Sequence, residues 1–288
     1  MSETNSRSVL DGLRKEVVEE VEFNILAYWL NNTIDDEFGG FIGHINGDNT
    51  KVPQANKGAV LNARILWTFS SAYLNYGNKQ YLWAATRAFE YFSNHFKDDV
   101  HGGVYWELDH IGKPVNRRKQ VYAQAFAIYG LTEYYKASQN ASALGWAKEL
   151  FGLIEQHSFD THFGGYIEAF SENWSVLKDM RLSQKEENVC KTMNTHLHIL
   201  EAYTNLLGVW RDDALLQAQT GLLNTLFDKF LSRGPHLILF FNRDWTYSNQ
   251  VVSFGHDIEA AWLMVEAAEL LSDTTLLSRS REVAISIT

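Results

Sequence analysis

The stretch Asp160–Tyr166, with the sequence DTHFGGY, is the third of three related segments in this chain. The others are Asp36–Phe41 (DEFGGF) and Asp99–Val104 (DVHGGV). The first glycine of each pair stands at position 39, 102 or 164, so the repeat steps are 63 and 62 residues. Regular self-similarity on this scale indicates a repeated supersecondary unit, long enough here for two helices and the turn between them. Each glycine pair supplies the positive-φ freedom that a tight connector needs.

Apolar residues recur at helical spacing in nine stretches around these segments. The predicted helices cover Val9–Leu30, Val60–Tyr76, Tyr81–Phe96, Val121–Tyr135, Ala143–Ile154, Met193–Leu207, Leu215–Leu231, Ile258–Leu271 and a last stretch from Thr275. Helix pairs repeated in this way stack side by side, and each buries its apolar face against its neighbours. Six such pairs close into an (α/α)6 toroid, so we predict this all-α fold with short β-hairpin connectors. No linker, low-complexity tract or charge block divides residues 1–288, which we predict to form a single domain.

The number of helices is smaller than a closed ring requires. Nine helices make about four and a half pairs, whereas six pairs of about 60 residues would need roughly 360 residues. The last helical pattern continues towards Thr288 without a Gly, Asn or Pro stop signal. We therefore expect a toroid that is truncated at its C-terminus.

The charge and cysteine content exclude several functional classes. The net charge is −10, and the Lys and Arg residues form no basic stripe, so nucleic acid and anionic membranes are not expected partners. The single cysteine, Cys190, excludes an internal disulfide framework and favours a reducing compartment. Because there is no signal-peptide pattern and no apolar run approaching 18 residues, we expect a cytoplasmic protein. We also expect a monomer or weak homodimer.

The segment Ser253–Met264 (SFGHDIEAAWLM) carries the sharpest chemical pattern. His256 and Glu259 stand at i and i+3 near a helix start and share one face, and Trp262 follows after a further three residues. A helix N-terminus favours the neutral, basic form of histidine, and Glu259 can orient His256 or hold its proton. The alternative is a capped helix with surface charges.

A second polar pattern lies in the helix that begins near Met193. Asn194, His198 and Glu201 are spaced i, i+4 and i+7 and share one stripe, whereas His196 points elsewhere. A polar stripe in an apolar helix either lines a cavity or forms a hydrogen-bonded core cluster. The spacing differs from His-Glu-x-x-His, so we predict no metal site.

Two further polar residues interrupt apolar helices. Arg64 lies among Leu and Trp and must either extend to solvent or meet a partner, and Tyr122 occupies a similar position. Each alone is more often structural, but four helices with polar groups near their starts would converge on the central cavity of a toroid, which is the natural ligand site. There is no dinucleotide fingerprint, P-loop or nucleophile elbow. We therefore expect a cofactor-free site that transfers protons through histidine.

Together these segments resemble the N-acylglucosamine 2-epimerase superfamily and, within it, the cellobiose (or mannobiose) 2-epimerases, over nearly the whole chain. The resemblance rests on residues 62–67 (NARILW), 102–106 (GGVYW), 122–127 (YAQAFA), 193–203 (MNTHLHILEAY) and 255–260 (GHDIEA). It implies an (α/α)6 barrel and an isomerase that inverts C2 of the reducing-end glucose of a β-1,4-linked disaccharide. The reaction would proceed without a cofactor through a cis-enediol, with one histidine of pKa near 7 on each face.

The same resemblance implies roles for the residues singled out above. His256 would be one histidine of the pair, with Glu259 tuning it, and Arg64 would stabilise the enediolate oxygen. Tyr122, Asn194 and His198 would hold the sugar hydroxyls or assist ring opening. Trp262 would be a further contact to the substrate.

In the family, the second catalytic histidine and the tryptophans that stack on the sugar lie in the C-terminal part. No His or Trp follows Leu271 in this chain. We therefore expect the 288-residue polypeptide alone to show little or no epimerase activity.

Three alternative functions remain open at this point. An N-acylglucosamine 2-epimerase or an aldose–ketose (mannose) isomerase would use the same fold and the same enediol. An inverting glycosidase would need two carboxylates about 6.5–9.5 Å apart, for which Asp99 and Glu168 are weak candidates. A non-catalytic sugar-binding protein is the third.

Overall fold

The computed structural model describes residues 3–231, 234, 236–247 and 251–287, with side chains from Val9 onwards. Its helices are α1 (Glu3–Glu19), α2 (Ala27–Asn32), α3 (Ala59–Tyr76), α4 (Lys79–Tyr91), α5 (Val121–Ser138), α6 (Ala141–His157), α7 (Met193–Leu207), α8 (Asp213–Thr225), α9 (Phe254–Leu271) and α10 (Thr274–Ile287). Three π-helical turns join α1 to α2 and extend α4 and α8: Glu20–Leu26, Phe92–Phe96 and Leu226–Phe230. With α1 and α2 counted as one, these are the nine predicted helices. Helix α9 begins four residues earlier than expected, because Ser253 caps it.

The helices form two layers of an (α/α)6 toroid. Helices α3, α5, α7 and α9 pack in succession as the inner layer, and each packs against the outer helix that follows it in sequence. The inner helices α5 and α7 are buried on most of their circumference, which explains their nearly continuous apolar sequences. One contiguous core runs from Leu26 to Leu276. None of the helices in the described ranges is long and apolar enough to cross a membrane.

Four long connectors lead from each outer helix to the next inner helix, and they gather at the amino-terminal ends of the inner helices. They cover residues 33–58, 97–120, 158–192 and 231–253, the last in its described part. They contain the strands β1 (Lys57–Gly58), β2 (Glu107–Leu108), β3 (Pro114–Asn116), β4 (Lys119–Gln120), β5 (Ala169–Phe170), β6 (Lys191–Thr192) and β7 (Phe240–Phe241).

The strands mostly join one connector to the next. All pairs are antiparallel: β1 pairs with β2, β4 with β5 and β6 with β7, and each of these pairs crosses between successive connectors. The β2–β3 pair lies within one connector, and five isolated antiparallel bridges among the described residues, such as Ile34–Phe41 and Phe159–Tyr166, also lie within single connectors. In the first three connectors, the last strand (β1, β4 or β6) leads directly into an inner helix and anchors the start of that helix.

A buried ion pair fixes each of the first three glycine turns. The lysine stands two residues before the inner helix and is fully buried, and the aspartate begins the turn. The pairs are Lys57–Asp35 at 2.7 Å, Lys119–Asp98 at 2.6 Å and Lys191–Asp160 at 3.1 Å. In the first two copies, the buried aspartate precedes the one that opens the quoted segment, since Asp36 and Asp99 are exposed. We call these three pairs the Asp–Lys clasps.

Tryptophans from the following connector cover two of the glycine pairs. The Trp174 indole donates to the carbonyl of His101 at 3.0 Å, and the Trp245 indole donates to that of Phe163 at 2.8 Å. A Cβ added at Gly165, where φ is +74°, would lie 2.5 Å from the Trp245 ring. These tryptophans therefore pack the connectors together.

The side chains of the fourth residues of α5, α7 and α9 hold the connector that precedes each helix. Gln124, His196 and Asp257 accept the backbone N–H of Val104, Tyr166 and Leu237 at 2.8, 2.9 and 2.9 Å. Burial lowers the pKa of His196 to about 3, so its ring is neutral, with Nδ1–H donated to the Thr192 carbonyl at 2.7 Å. His196 therefore has a structural role, consistent with its predicted orientation away from the stripe.

Candidate active site

The inner helices present residues from equivalent positions to one region near their amino-terminal ends. The sixth residue of each inner helix is Arg64 in α3, Phe126 in α5, His198 in α7 and Glu259 in α9. One turn earlier, the second residues of α5 and α7 are Tyr122 and Asn194. One turn later, the ninth residues of α3, α5 and α7 are Trp67, Tyr129 and Glu201, whereas the ninth residue of α9, Trp262, faces away from them. Residues at i, i+4 and i+7 share one helix face, so these positions form three layers.

Arg64 is held against α5. Its Nη2 donates to the Tyr122 hydroxyl at 3.2 Å, and its guanidinium lies 4.4 Å from the centroid of the Phe126 ring. The Arg64 side chain nevertheless remains exposed on the helix surface. A guanidinium over an aromatic face is held without losing its charge, so it remains available to a ligand.

His198 lies in a slot between aromatic rings and is bonded to a carboxylate. Its ring meets Tyr122 edge to face at 5.0 Å and Phe126 at 4.6 Å between centroids. Its Nδ1 lies 2.8 Å from Oε2 of Glu201, with the two side chains only 5% and 11% exposed. A carboxylate accepts a hydrogen bond at this distance, so Nδ1 carries the hydrogen and Nε2 is left for another partner.

Charges from three helices and one connector act on the Tyr122 phenol. Burial raises its pKa, and three carboxylates raise it further, whereas Arg64 lowers it. The carboxylates are those of Glu259, Glu201 and Glu186. The phenol therefore stays protonated at neutral pH and can both donate and accept a hydrogen bond.

Arg64, Tyr122, Phe126 and His198 thus form one cluster of contacting side chains. His256 and Asn194 line a small cavity whose walls do not include these four residues. This cavity of about 40 Å³ is also lined by Glu186, Thr192, Met193, Leu239 and Phe240. His256 Nδ1 and Asn194 Oδ1 are buried and have no hydrogen-bond partner in the part of the chain that the structure describes. Within that part, no hydrogen bond joins His256 to Glu259 either. The His256–Glu259 pair in α9 therefore differs from the His198–Glu201 pair in α7, which has the same i,i+3 spacing and is hydrogen-bonded.

Two residues of the 253–264 segment lie apart from the cluster. Trp262 is 52% exposed and lines an open apolar trough of about 550 Å³ between α9 and α10, together with Ile258 and Ile285. Asp257 points back to the fourth connector, where its Oδ2 lies 2.8 Å from Nδ1 of His236. Its role in the structure is to hold that connector.

Several residues of the cluster were not predicted from the sequence. Phe126 and Tyr129 look like ordinary core residues in α5, and Glu186 lies in a connector without a recognisable pattern. The equivalence of sixth and ninth helix positions would have identified Phe126 and Tyr129. No group of three or more His, Cys, Asp or Glu side chains within the described ranges has the geometry of a metal site.

Comparison with known proteins gives concordant matches. The model of the N-acylglucosamine 2-epimerase (GlcNAc 2-epimerase) family matches residues 40–286. The cellobiose 2-epimerase of Bacteroides fragilis is 48% identical over 272 residues, which cover 94% of this chain and 69% of that protein. The structure of cellobiose 2-epimerase from Bacillus thermoamylovorans superposes with a TM-score of 0.91 at 37% identity, covering 96% of this chain and 71% of that one. A D-mannose isomerase of Marinomonas mediterranea is 23% identical over 222 residues, covering 76% and 53%.

Proposed function

The chain belongs to the N-acylglucosamine 2-epimerase family, and from this we propose that it inverts C2 of the reducing-end glucose of a β-1,4-linked disaccharide such as cellobiose. The observation that carries the proposal is the cluster of Arg64, Tyr122 and His198 near the starts of three inner helices. The 48% identity to a cellobiose 2-epimerase supports the disaccharide as substrate.

Epimerisation at C2 requires three events at one sugar. The hemiacetal opens, the C2 proton next to the aldehyde is removed to give the enediolate of a cis-enediol, and a proton is returned to the opposite face of C2. Proton transfer by positioned side chains accelerates such steps by about 10²–10⁴-fold when the pKa lies near the working pH. Histidine is the side chain with that property.

We assign the cluster residues to these events as follows. His256 exchanges the C2 proton on one face. Arg64 stabilises the oxygen that becomes negative in the enediolate, because its guanidinium is fixed by Tyr122 and Phe126 and needs little reorganisation. His198 and Asn194 hold the sugar hydroxyls and assist ring opening. Glu259 acts on His256 through its charge from the same face of α9, without a hydrogen bond between the two described side chains.

Aldose–ketose isomerisation is the second candidate, favoured by the match to a D-mannose isomerase. The same enediol gives a ketose when the proton is delivered to C1 instead of C2. The two outcomes therefore differ in the product and share the first proton abstraction. Product analysis with cellobiose and with mannose separates them.

The experiment that tests the proposal is incubation of the 288-residue protein with cellobiose in D₂O, followed by NMR of the sugar. We expect deuterium at C2 of the reducing-end glucose, since a single base suffices to exchange this proton. Exchange with retention of the glucose configuration would show a site served from one face, in line with the low epimerase activity expected from the sequence. Conversion to the mannose configuration would show that both faces are served and would overturn that expectation. The absence of exchange at C2 would contradict the proposal.

Matched variants identify the residue responsible for exchange. His256→Asn should abolish deuterium incorporation. His162→Asn alters an exposed histidine in the third glycine turn, outside the cluster, and should leave the exchange rate unchanged. Equal loss in both variants would show that exchange does not depend on the cluster.

A further inference from the structure

Glu201 has no role in the proton transfers assigned above, yet it makes the shortest contact to His198. We infer that Glu201 is a positioning residue that holds His198 as the Nδ1–H tautomer and directs its Nε2 to the sugar. This inference rests on the proposed function for its consequence, but its geometry can be tested without turnover.

The backbone places the two side chains together. His198 and Glu201 stand at i and i+3 in α7, and Nδ1 lies 2.8 Å from Oε2. Both side chains are nearly inaccessible to solvent, at 5% and 11% exposure. Water therefore competes poorly for either group, and a charge-assisted hydrogen bond in such a site is stronger than its surface equivalent.

The aromatic rings around His198 limit its orientation. Tyr122 approaches it edge to face, and Phe126 is tilted against it at 4.6 Å. With the ring confined and Nδ1 engaged by Glu201, the single nitrogen left for a ligand is Nε2. In this tautomer Nε2 carries a lone pair and accepts a proton or a hydrogen bond.

Glu201 also lines a cavity between the inner helices, on the carboxy-terminal side of His198. This cavity of about 200 Å³ is also lined by Trp67, Tyr129, Glu133, Lys136, Asn205 and Glu266, among others. Burial raises the pKa of Tyr129, and the charge of Glu201 raises it further. The other charged groups that line this cavity are Glu133 and Lys136 from α5 and Glu266 from α9.

Glu266 offers a matched control. It lines the same cavity and interacts electrostatically with Glu201, but it has no contact with His198 among the described side chains. Glu266 is the more exposed of the two carboxylates, and the partial burial that remains raises its pKa. A Glu266→Gln variant thus changes the charge of the cavity without touching the His198 hydrogen bond.

The direct test is the tautomer of His198, measured by ¹⁵N–¹H NMR of the protein labelled at histidine, with His198→Gln for assignment. We expect the Nδ1–H form in the unmodified protein, a raised Nε2–H population in Glu201→Gln, whose amide can also donate to Nδ1, and no change in Glu266→Gln. An Nε2–H form in the unmodified protein, or an unchanged tautomer in Glu201→Gln, would overturn the inference. Circular dichroism of each variant checks that the fold is retained, and Glu201→Asp, which keeps the charge, is the substitute if Glu201→Gln does not fold.

The effect of Glu201 on function is tested by the rate of deuterium exchange at C2 in each variant. Misplacement of a reacting group by about 1 Å costs roughly 10²-fold in rate, so Glu201→Gln should lower kcat by about that factor with KM nearly unchanged, and Glu266→Gln should not. A fall in Glu266→Gln equal to that in Glu201→Gln would indicate a general effect of cavity charge and would contradict the positioning role. If the unmodified protein does not exchange at all, the proposed function fails, while the NMR result still decides the role of Glu201.

Discussion

Lys119 Nζ lies 2.6 Å from Asp98 Oδ2, and both side chains are fully inaccessible to solvent. The lysine lies two residues before the start of α5, and the aspartate begins the second glycine turn. The turn and the start of an inner helix are therefore joined by one buried interaction. The same arrangement occurs in the first and third connectors, so the clasps set where the candidate active site lies.

Removal of one member of this clasp should destabilise the fold strongly. Lys119→Met leaves the Asp98 carboxylate buried without its cation, and breaking a buried pair in this way costs about 3–5 kcal/mol. The free energy of unfolding from urea titration measures the change. The double variant Lys119→Met/Asp98→Asn should recover part of the loss, because no uncompensated charge remains.

An exposed pair provides the control for that experiment. Lys15 and Glu19 are 3.8 Å apart, with side chains 78% and 55% exposed. Lys15→Met should change the free energy of unfolding by less than about 1 kcal/mol, since exposed pairs contribute little. Equal effects of Lys119→Met and Lys15→Met would refute a structural role for the clasp.

The buried carboxyl of Glu168 should make stability depend on pH. Burial raises its pKa to about 8, an effect partly offset by hydrogen bonds from Thr195 and Thr192. Because the pKa is higher in the folded than in the unfolded chain, this group's stabilising contribution is complete below about pH 4.5. It is lost as the pH rises through about 8, at up to about 1.4 kcal/mol per pH unit.

Glu168→Gln should remove this part of the pH dependence. Between pH 6 and pH 8, we expect the unmodified protein to lose about 2–3 kcal/mol more than the variant does. Chemical unfolding of both proteins at the two pH values measures the difference. Parallel pH profiles would show that Glu168 titrates normally in the folded protein.

The two glycines of the third turn should respond differently to alanine. Both have a φ of +74°, but a Cβ at Gly164 meets nothing within 4 Å, whereas one at Gly165 meets Trp245 at 2.5 Å and His196 Nε2 at 2.9 Å. Gly164→Ala should therefore cost only the backbone strain, about 1–2 kcal/mol. Gly165→Ala should cost a further 1–3 kcal/mol, roughly, from overpacking.

Thermal and urea unfolding of the two variants make this comparison direct, since the backbone term is shared. Tryptophan fluorescence adds a second readout, because only Gly165→Ala should disturb the Trp245 ring. A Gly164→Ala variant as unstable as Gly165→Ala would argue against close packing of the third and fourth connectors.

Substitution of Arg64 should reduce activity without reducing stability. Arg64 is exposed on α3 and its hydrogen bond to Tyr122 is 3.2 Å long, so its loss removes little packing. If it stabilises the enediolate, Arg64→Met should slow C2 exchange by about 10²–10³-fold, the usual effect of losing one such group. Tyr122→Phe, which removes only the hydroxyl that accepts from Arg64, should give a smaller decrease. Unchanged exchange in Arg64→Met would remove Arg64 from the proposed site.

Much of the site could be located from the sequence because its residues lie on helices with regular spacing. Asn194, His198 and Glu201 share one stripe of α7 by local geometry alone. Arg64 and Tyr122 could be predicted as site residues because each is a polar residue that interrupts an apolar helix. The contact between His198 and Glu201 was within reach of this reasoning, whereas the ring of Phe126 between Arg64 and His198 was not, since its neighbours belong to other helices.

The repeat length, the nine helices and the two-layer toroid were determined by the sequence itself, because helical periodicity and glycine turns are local properties of the chain. The buried state of Lys57, Lys119 and Lys191 was decided only by the tertiary structure. In the sequence these are ordinary lysines in loops, and each is buried only because an aspartate 21 to 31 residues earlier is brought to its ammonium group. The packing of Trp174 and Trp245 over glycines of the preceding connector was decided in the same way, since it depends on how successive repeats stack.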